Sequence, residues 1–463
     1  GAAQVGIGGE SEGFPAYGRF REAARHPSRQ PHRPSQRTQR TYDPCMNRGP
    51  AAHGRRAMMG RSPDEPHRVS TPLELTFDLT FVVAISLCSA QLAHALAAGH
   101  VGVGILGFSF GMLGILWAWM GYTWFASAFD TDDWAMRLAT LVHMVGVLVL
   151  GLGQAPLFAS IEHGHWDNRT LIAGYVVMRV ALVYLWLRVA KEDSHHRLRG
   201  RAYAKGIVIA QLVWVTLGVL DLPLVPALIG SGFAMALEFY AVFWVQRRTG
   251  EPTPWHPHHL AERYGLLVII ALGEVVLGTT TAVDVLVERQ GWTIDAALVA
   301  VAGISLAVGI WWCYFAIPWG DLLAADRGKG RRFGNGHLPL YAVLAAIGAG
   351  LHVIARYVEG EATIGVVGAM LTLVIPTGLA IVGIFFFANV ILPGGNSFHT
   401  RIIGMVGGTL AAAVALAAAG VAVGWCLGVV MLSPWVAVVA YEVRGHVYLA
   451  RLLQRYGIPT TES

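Results

Sequence analysis

The sequence predicts an all-α fold, a polytopic transmembrane helical bundle of about 12 spans, and three observations lead there: composition, the spacing of long apolar runs, and the side on which basic loops fall. Of 463 residues, 54% are hydrophobic and 14% charged, with a mean hydropathy of +0.51. Soluble domains are roughly one-quarter charged, so this chain needs lipid as its solvent. A bilayer core of about 30 Å asks for about 20 apolar residues per helix. Runs of that length fall near 73–97, 101–126, 135–160, 170–190, 204–222, 223–245, 260–283, 294–317, 338–358, 364–391, 402–421 and 423–443. The fifth and sixth are parted only by "DLPLVP", and the last two only by Gly420 to Gly424.

The basic loops test that count, because a wrong number of spans would scramble their alternation. With the N-terminus inside, the five cytoplasmic loops hold fifteen Arg and Lys, among them Arg197, Arg199, Arg201 and Lys205. The six outer loops hold only Arg169, Arg289 and Arg356. Both termini are expected in the cytoplasm, with 444–463 as a C-terminal tail. The net charge of +5 is a property of the tail at the other end: residues 1–68 carry twelve Arg against six acids, leaving 22 bases and 23 acids elsewhere. A nucleic-acid partner is therefore not expected. The segment 1–68, rich in Pro, Arg, Ser and Gln, reads as disordered. No signal-peptide core precedes Pro72, so the first span is expected to act as its own insertion signal. Met58 and Met59 stand close before it, which suggests that part of the tail lies upstream of the native start. Three lysines against 31 arginines are the codon signature of a GC-rich genome, hence of a bacterium and its cytoplasmic (inner) membrane.

The two halves, 72–245 and 260–443, look alike. "FDLTFVVAIS" parallels "YGLLVIIALG", "GILWAW" (114–119) parallels "GIWWCY" (309–314), and Arg137 with His143 parallels Arg331 with His337. An even number of spans per repeat gives both halves the same orientation, as in parallel-repeat transporters, and a site is expected between them.

Ionisable residues inside spans are costly and mark function by default. Glu74 and Asp78 share a face of the first helix, one turn apart; Glu74 also suits the helix N-terminus after Thr71 and Pro72. Arg263 and Glu274 share a face of the seventh, about 16 Å apart, so each needs a partner from another helix. Arg179, mid-span, needs an acid: Glu238, Asp78 or Glu274. The candidate cation- or proton-binding residues are thus Asp78, Glu274 and Glu74, with Arg179, Arg263, Glu238 and Glu262 as charge partners. Histidines in "WHPHH" and "EHGH" are expected on opposite sides of the membrane, and neither a metal nor a cofactor is expected. Cys45, Cys88, Cys313 and Cys426 predict no disulfide framework. Trp117, Trp119, Trp124, Trp312 and Trp319 read as an interfacial aromatic belt.

"PLELTFDLTFVVAIS" and the downstream "HLAERYGLLVIIALGE" resemble the two signatures of the bacterial low-temperature-requirement A family of integral membrane proteins, a likeness running from about Pro72 to about Ala450. Glu74, Phe77, Asp78, Phe81, Glu262, Arg263, Gly273 and Glu274 take the motif positions, while Thr76 and Thr80 stand where Phe and Val are expected. The resemblance implies a membrane location and a requirement in cold growth, and it names no reaction. A fainter likeness runs to two-repeat potassium channels with an F-S-D motif, although Gly265 takes the place of the acid in the second half. The reading that follows is a secondary transporter or ion pathway in which Asp78 and Glu274 bind a cation or proton. The alternatives are an intramembrane lipid-modifying enzyme using Glu274, against which stands the absence of HExxH and GxSxG, and a membrane sensor or scaffold for cold adaptation.

Overall fold

The computed structural model describes residue 1 and residues 54–66, 68–220, 222–250, 253–392 and 397–458, the first two positions of the last range by their backbone alone. Twelve of its helices are long and apolar enough to cross a membrane: α1 (Pro72–Ala97), α2 (Val101–Phe129), α3 (Trp134–Glu162), α4 (Arg169–Glu192), α5 (Arg197–Val219), α6 (Leu224–Thr249), α7 (Pro257–Gln290), α8 (Ile294–Ala325), α9 (Arg327–Glu359), α10 (Val366–Ile391), α11 (His399–Ala418) and α12 (Val423–Arg455). Every expected span is matched. The largest differences are at the end of α12, which stays helical to Arg455 where a tail is expected from 444, at the start of α9, which begins at Arg327 rather than near 338, and at α7, whose 34 residues give about 51 Å of rise. In each, polar turns continue the helix past the apolar run, which a hydropathy count does not register. Among the described residues there is no strand, only an isolated bridge between His165 and Pro223.

Local chemistry sets the ends. Thr71 and Glu74 form a reciprocal capping box at the start of α1, with Pro72 in the first turn. His256 caps α7 ahead of Pro257, and Asp133 caps α3. At the other end of α2, Arg68 donates to the carbonyls of Ser127 at 2.7 Å and Ala126 at 2.9 Å, placing a cation on the negative end of the helix dipole.

Within each half the neighbours follow the same order. α1 packs on α2 and α3, and α3, α4, α5 and α6 then pack in sequence; α7 packs on α8 and α9, and α9, α10, α11 and α12 follow likewise. The halves meet through α1, α2, α7 and α9. Within the second half, small residues set the closest approach of α7 and α9. A Cβ on Gly278 would lie 2.6 Å from the carbonyl oxygen of Gly348, and one on Gly348 would press on the backbone of Glu274. Neither backbone can give way, so α7 and α9 are held in one register by residues that only glycine can fill.

Two expectations are corrected. Residues 2–53 and 67 of the tail lie outside the described residues, as does Cys45, but the rest of 54–68 is ordered against the bundle. Met58 is fully buried, its amide donates to Glu192 at 2.8 Å, and the Gly60 amide donates to Asp193 at 2.8 Å. These contacts use carboxylates beyond the apolar run, a match that tail composition cannot reveal. The tryptophans are not mainly an interface belt either. Trp117, Trp119 and Trp319 are buried, and the indoles of Trp117 and Trp119 serve carboxylates inside the bundle.

Candidate functional site

Three polar assemblies lie in the apolar interior. The first joins the two sequence signatures. Asp78 and Arg263, each the seventh residue of its helix, face one another across the α1–α7 contact. Arg263 Nε donates to Asp78 Oδ2 at 2.8 Å and Nη2 to Oδ1 at 2.6 Å, a bidentate fork, while Nη1 donates to Glu74 Oε1 at 2.9 Å. Trp119 Nε1 completes Asp78 at 2.7 Å; the Thr71 amide and His259 Nε2 reach Glu74 Oε2 at 2.9 and 3.1 Å. All four ionisable members are sealed from solvent. Both carboxylates are matched by one guanidinium and by neutral donors, so Asp78 offers no free oxygen to a passing ion. Glu262, by contrast, is exposed and, among the described residues, accepts only from the Ser70 amide, at 3.2 Å. At the rim, in the loop after α2, Asp130 is pushed up to about 6, first by burial and then by the negative charge of Glu74.

The second assembly is Glu274. It is 2% exposed, near the middle of α7, and it accepts a hydrogen bond from Ser86 of α1. Among the described residues no basic side chain pairs with it. Ser86 lies eight residues beyond Asp78, about 12 Å along the helix, so Glu274 and the Asp78 cluster occupy different levels. The structure does not bring them together.

The third resolves the partner of Arg179. Glu238 of α6 accepts from Arg179 Nη2 at 2.9 Å, from Trp117 Nε1 at 2.7 Å and from the Tyr175 hydroxyl at 2.7 Å, all on Oε2. Its Oε1 accepts from Gln211 at 3.1 Å and Trp214 at 3.2 Å. Arg179 Nε is buried and has no partner among the described residues. Above this pair opens a cavity of about 340 Å³ enclosed by α2, α4, α5 and α6, with the loop before α7 and the start of α9 at its mouth. Trp117, Trp124, Trp186, Tyr203 and Trp255 form much of its wall. The contact of the halves, where a site is expected, thus holds the ion cluster, whereas the open volume lies mainly among helices of the first half, with the start of α9 from the second half at its mouth. A second cavity, about 90 Å³, lies among α8, α10, α11 and α12, the corresponding helices of the other half.

The residues missed from sequence are His259, Trp119, Trp117, Tyr175 and Gln211. His259 stands four before Arg263, and Tyr175 four before Arg179, on the same helical faces. That spacing was the available signal. The histidine-rich loop contributes caps and this ion-cluster contact: His256 Nδ1 accepts from the His259 amide at 3.2 Å.

Compared with known proteins, residues 69–434 match the model of a family described as bacterial low temperature requirement A protein. A protein of Rhizobium meliloti (strain 1021), described as uncharacterized protein RA0937, is 26% identical over 301 residues, covering 59% of this chain and 67% of the relative. No solved structure matches.

Proposed function

The chain belongs to the bacterial low temperature requirement A family and is a multi-pass membrane protein, and from that premise we propose that it is a proton-coupled secondary transporter of the bacterial cytoplasmic membrane, with Glu274 as its proton site. The observation that carries this reading is the isolation of Glu274. A carboxyl held in the bundle interior with one serine hydroxyl and no counter-charge is costly to keep, which favours a functional reason for it. One carboxylate and one hydroxyl are too few oxygens to replace the six to eight that a hard cation such as Ca²⁺ takes, which favours a proton over a metal ion.

The transporter reading draws support from internal symmetry. Contacts between α1 and α7 ascend together, Glu74 and Asp78 with Arg263 and then Ser86 with Glu274, so the leading helices of the two halves run parallel. Trp117 donates to Glu238 on the sixth helix of its half; Trp312, its counterpart in the aligned hexapeptides, donates to Glu442 on the last helix of the other. The two cavities occupy corresponding helices. Two parallel repeats with both termini in the cytoplasm account for all three features.

The test is proton flux in proteoliposomes carrying an internal pH dye. Glu274→Gln keeps size and one hydrogen bond, and is expected to insert and accumulate normally while proton movement and growth at low temperature are lost. Wild-type proton flux in that variant would sink the proposal.

A further inference from the structure

We infer that the cavity inside the first half is a binding site for a small, flat organic anion, its acidic group held by Arg179 and its ring system between aromatic walls. This deepens the transporter reading by naming the class of solute, although binding itself does not depend on Glu274.

The floor of the cavity selects the sign of charge. Both oxygens of Glu238 are already occupied, Oε2 by Arg179, Trp117 and Tyr175, and Oε1 by Gln211 and Trp214. A cation reaching the floor would find no open acceptor on Glu238. Arg179 is the opposite case. Its residue is 3% exposed, Nε has no partner, and Nη1 bonds to none of the described residues. Nη1 also stands over Gly121, where even a Cβ would crowd it, and both residues line the cavity. A carboxylate or comparable acceptor arriving there would gain a charge-assisted hydrogen bond that the protein leaves unmade.

The walls and mouth agree with the floor. Trp124, Trp186, Tyr203 and Trp255 line the volume, an aromatic wall that suits an aromatic or otherwise planar body. At about 340 Å³ the space sits at the small end of organic-ligand pockets, which run from about 300 to 1,000 Å³. At the mouth Arg327 is committed to Asp64 at 2.6 Å, but Arg331 is exposed and forms no ion pair among the described residues. It leaves a positive entrance that draws anions in. The corresponding cavity in the second half, about 90 Å³, is too small for such a guest, so one of two similar shells has been opened.

The experiment uses the full chain in lipid nanodiscs and three probes sharing one ring system: 2-naphthoate, 2-naphthylmethylamine and 2-naphthalenemethanol, titrated calorimetrically against empty nanodiscs. Naphthoate is expected to bind saturably and about tenfold or more tighter than the amine and the alcohol. Val242→Trp, one turn along α6 from Glu238, puts an indole into the cavity and is expected to abolish binding. Arg331→Gln is expected to weaken it about threefold and to flatten its salt dependence. Arg179→Gln is expected to abolish the preference for the acid; should that variant fail to fold, Val242→Trp and Arg331→Gln carry the test. Equal affinity for acid and amine, absence of saturable naphthoate binding, or wild-type binding by a folded Val242→Trp would overturn the inference. The flux experiment reads Glu274 and this one reads Arg179, Arg331 and Val242, so a failure of either implicates different residues.

Discussion

Replacing Arg263 by glutamine is the sharpest perturbation of the motif cluster. The guanidinium makes hydrogen bonds of 2.6 and 2.8 Å to Asp78, 2.9 Å to Glu74 and 3.4 Å to Thr123, and every partner is buried. Glutamine can replace one of these bonds and none of the charge. Asp78 and Glu74 then face each other in the interior without a counter-ion. Removing one partner of a buried pair costs about 3–5 kcal/mol, or about two to four powers of ten in the folded-to-unfolded ratio. Asp78→Asn is milder, because Arg263 keeps Glu74; the loss expected is that of a charged hydrogen bond, about 1.5–3 kcal/mol. The double variant Arg263→Gln/Asp78→Asn removes opposite charges together and leaves Glu74 with His259 and the Thr71 amide. It is expected to be more stable than Arg263→Gln alone. Abundance by fluorescence-detected size exclusion and the thermal midpoint in one detergent measure all three. Normal abundance and an unchanged midpoint for Arg263→Gln, or a double variant worse than that single one, would refute the charge-balance argument.

Two further predictions concern the loops. The carboxyl of Asp130 is raised from its ordinary 3.8 to about 6 in the folded state, so the native state holds its proton more tightly than the unfolded one. Stability is then expected to fall as pH climbs from about 4 through about 6 and to level off above; a scan of thermal midpoint against pH should show that slope reduced in Asp130→Asn. For topology, single cysteines are placed at Arg201 and His165, both exposed: an impermeant maleimide applied to intact cells is expected to label position 165 and spare 201, and the reverse pattern would invert the proposed orientation and undo the repeat argument.

The spans were legible in the sequence because lipid enforces them: an unpaired backbone group in hydrocarbon costs several kcal/mol, so helix length and apolarity follow the bilayer closely. Asp78, Glu74 and Arg263 were legible as costly intramembrane charges for the same reason. Their mutual pairing was not, since it depends on α1 and α7 standing side by side, a fact of packing that periodicity on either helix does not carry. The sequence reading placed Asp78 and Glu274 on one path through shared membership of leading helices. What it did not carry is that a bidentate arginine occupies Asp78, so that the difference in depth between the two acids, about 12 Å, separates a matched charge from an unmatched one. Arg179 shows the opposite result: its need for an acid was evident, Glu238 was among three candidates, and only the fold distinguishes them. The tryptophans were misread because amphipathic indoles suit interfaces and buried carboxylates equally well.

The ion cluster also constrains how the protein is made. Asp78 and Arg263 are separated by 185 residues of chain. At a synthesis rate of about 5–20 residues per second, α1 waits about 10–40 s in or beside the membrane before its counter-charge is translated. During that interval five further helices, α2 to α6, can be inserted and packed, yet α1 cannot take its final depth with its charges matched. The joining of the two halves is therefore a late event in biogenesis, set by the arrival of α7, and ribosome-bound chains halted before residue 263 should hold α1 where it remains open to crosslinking with the insertion machinery, whereas chains extended past α7 should not.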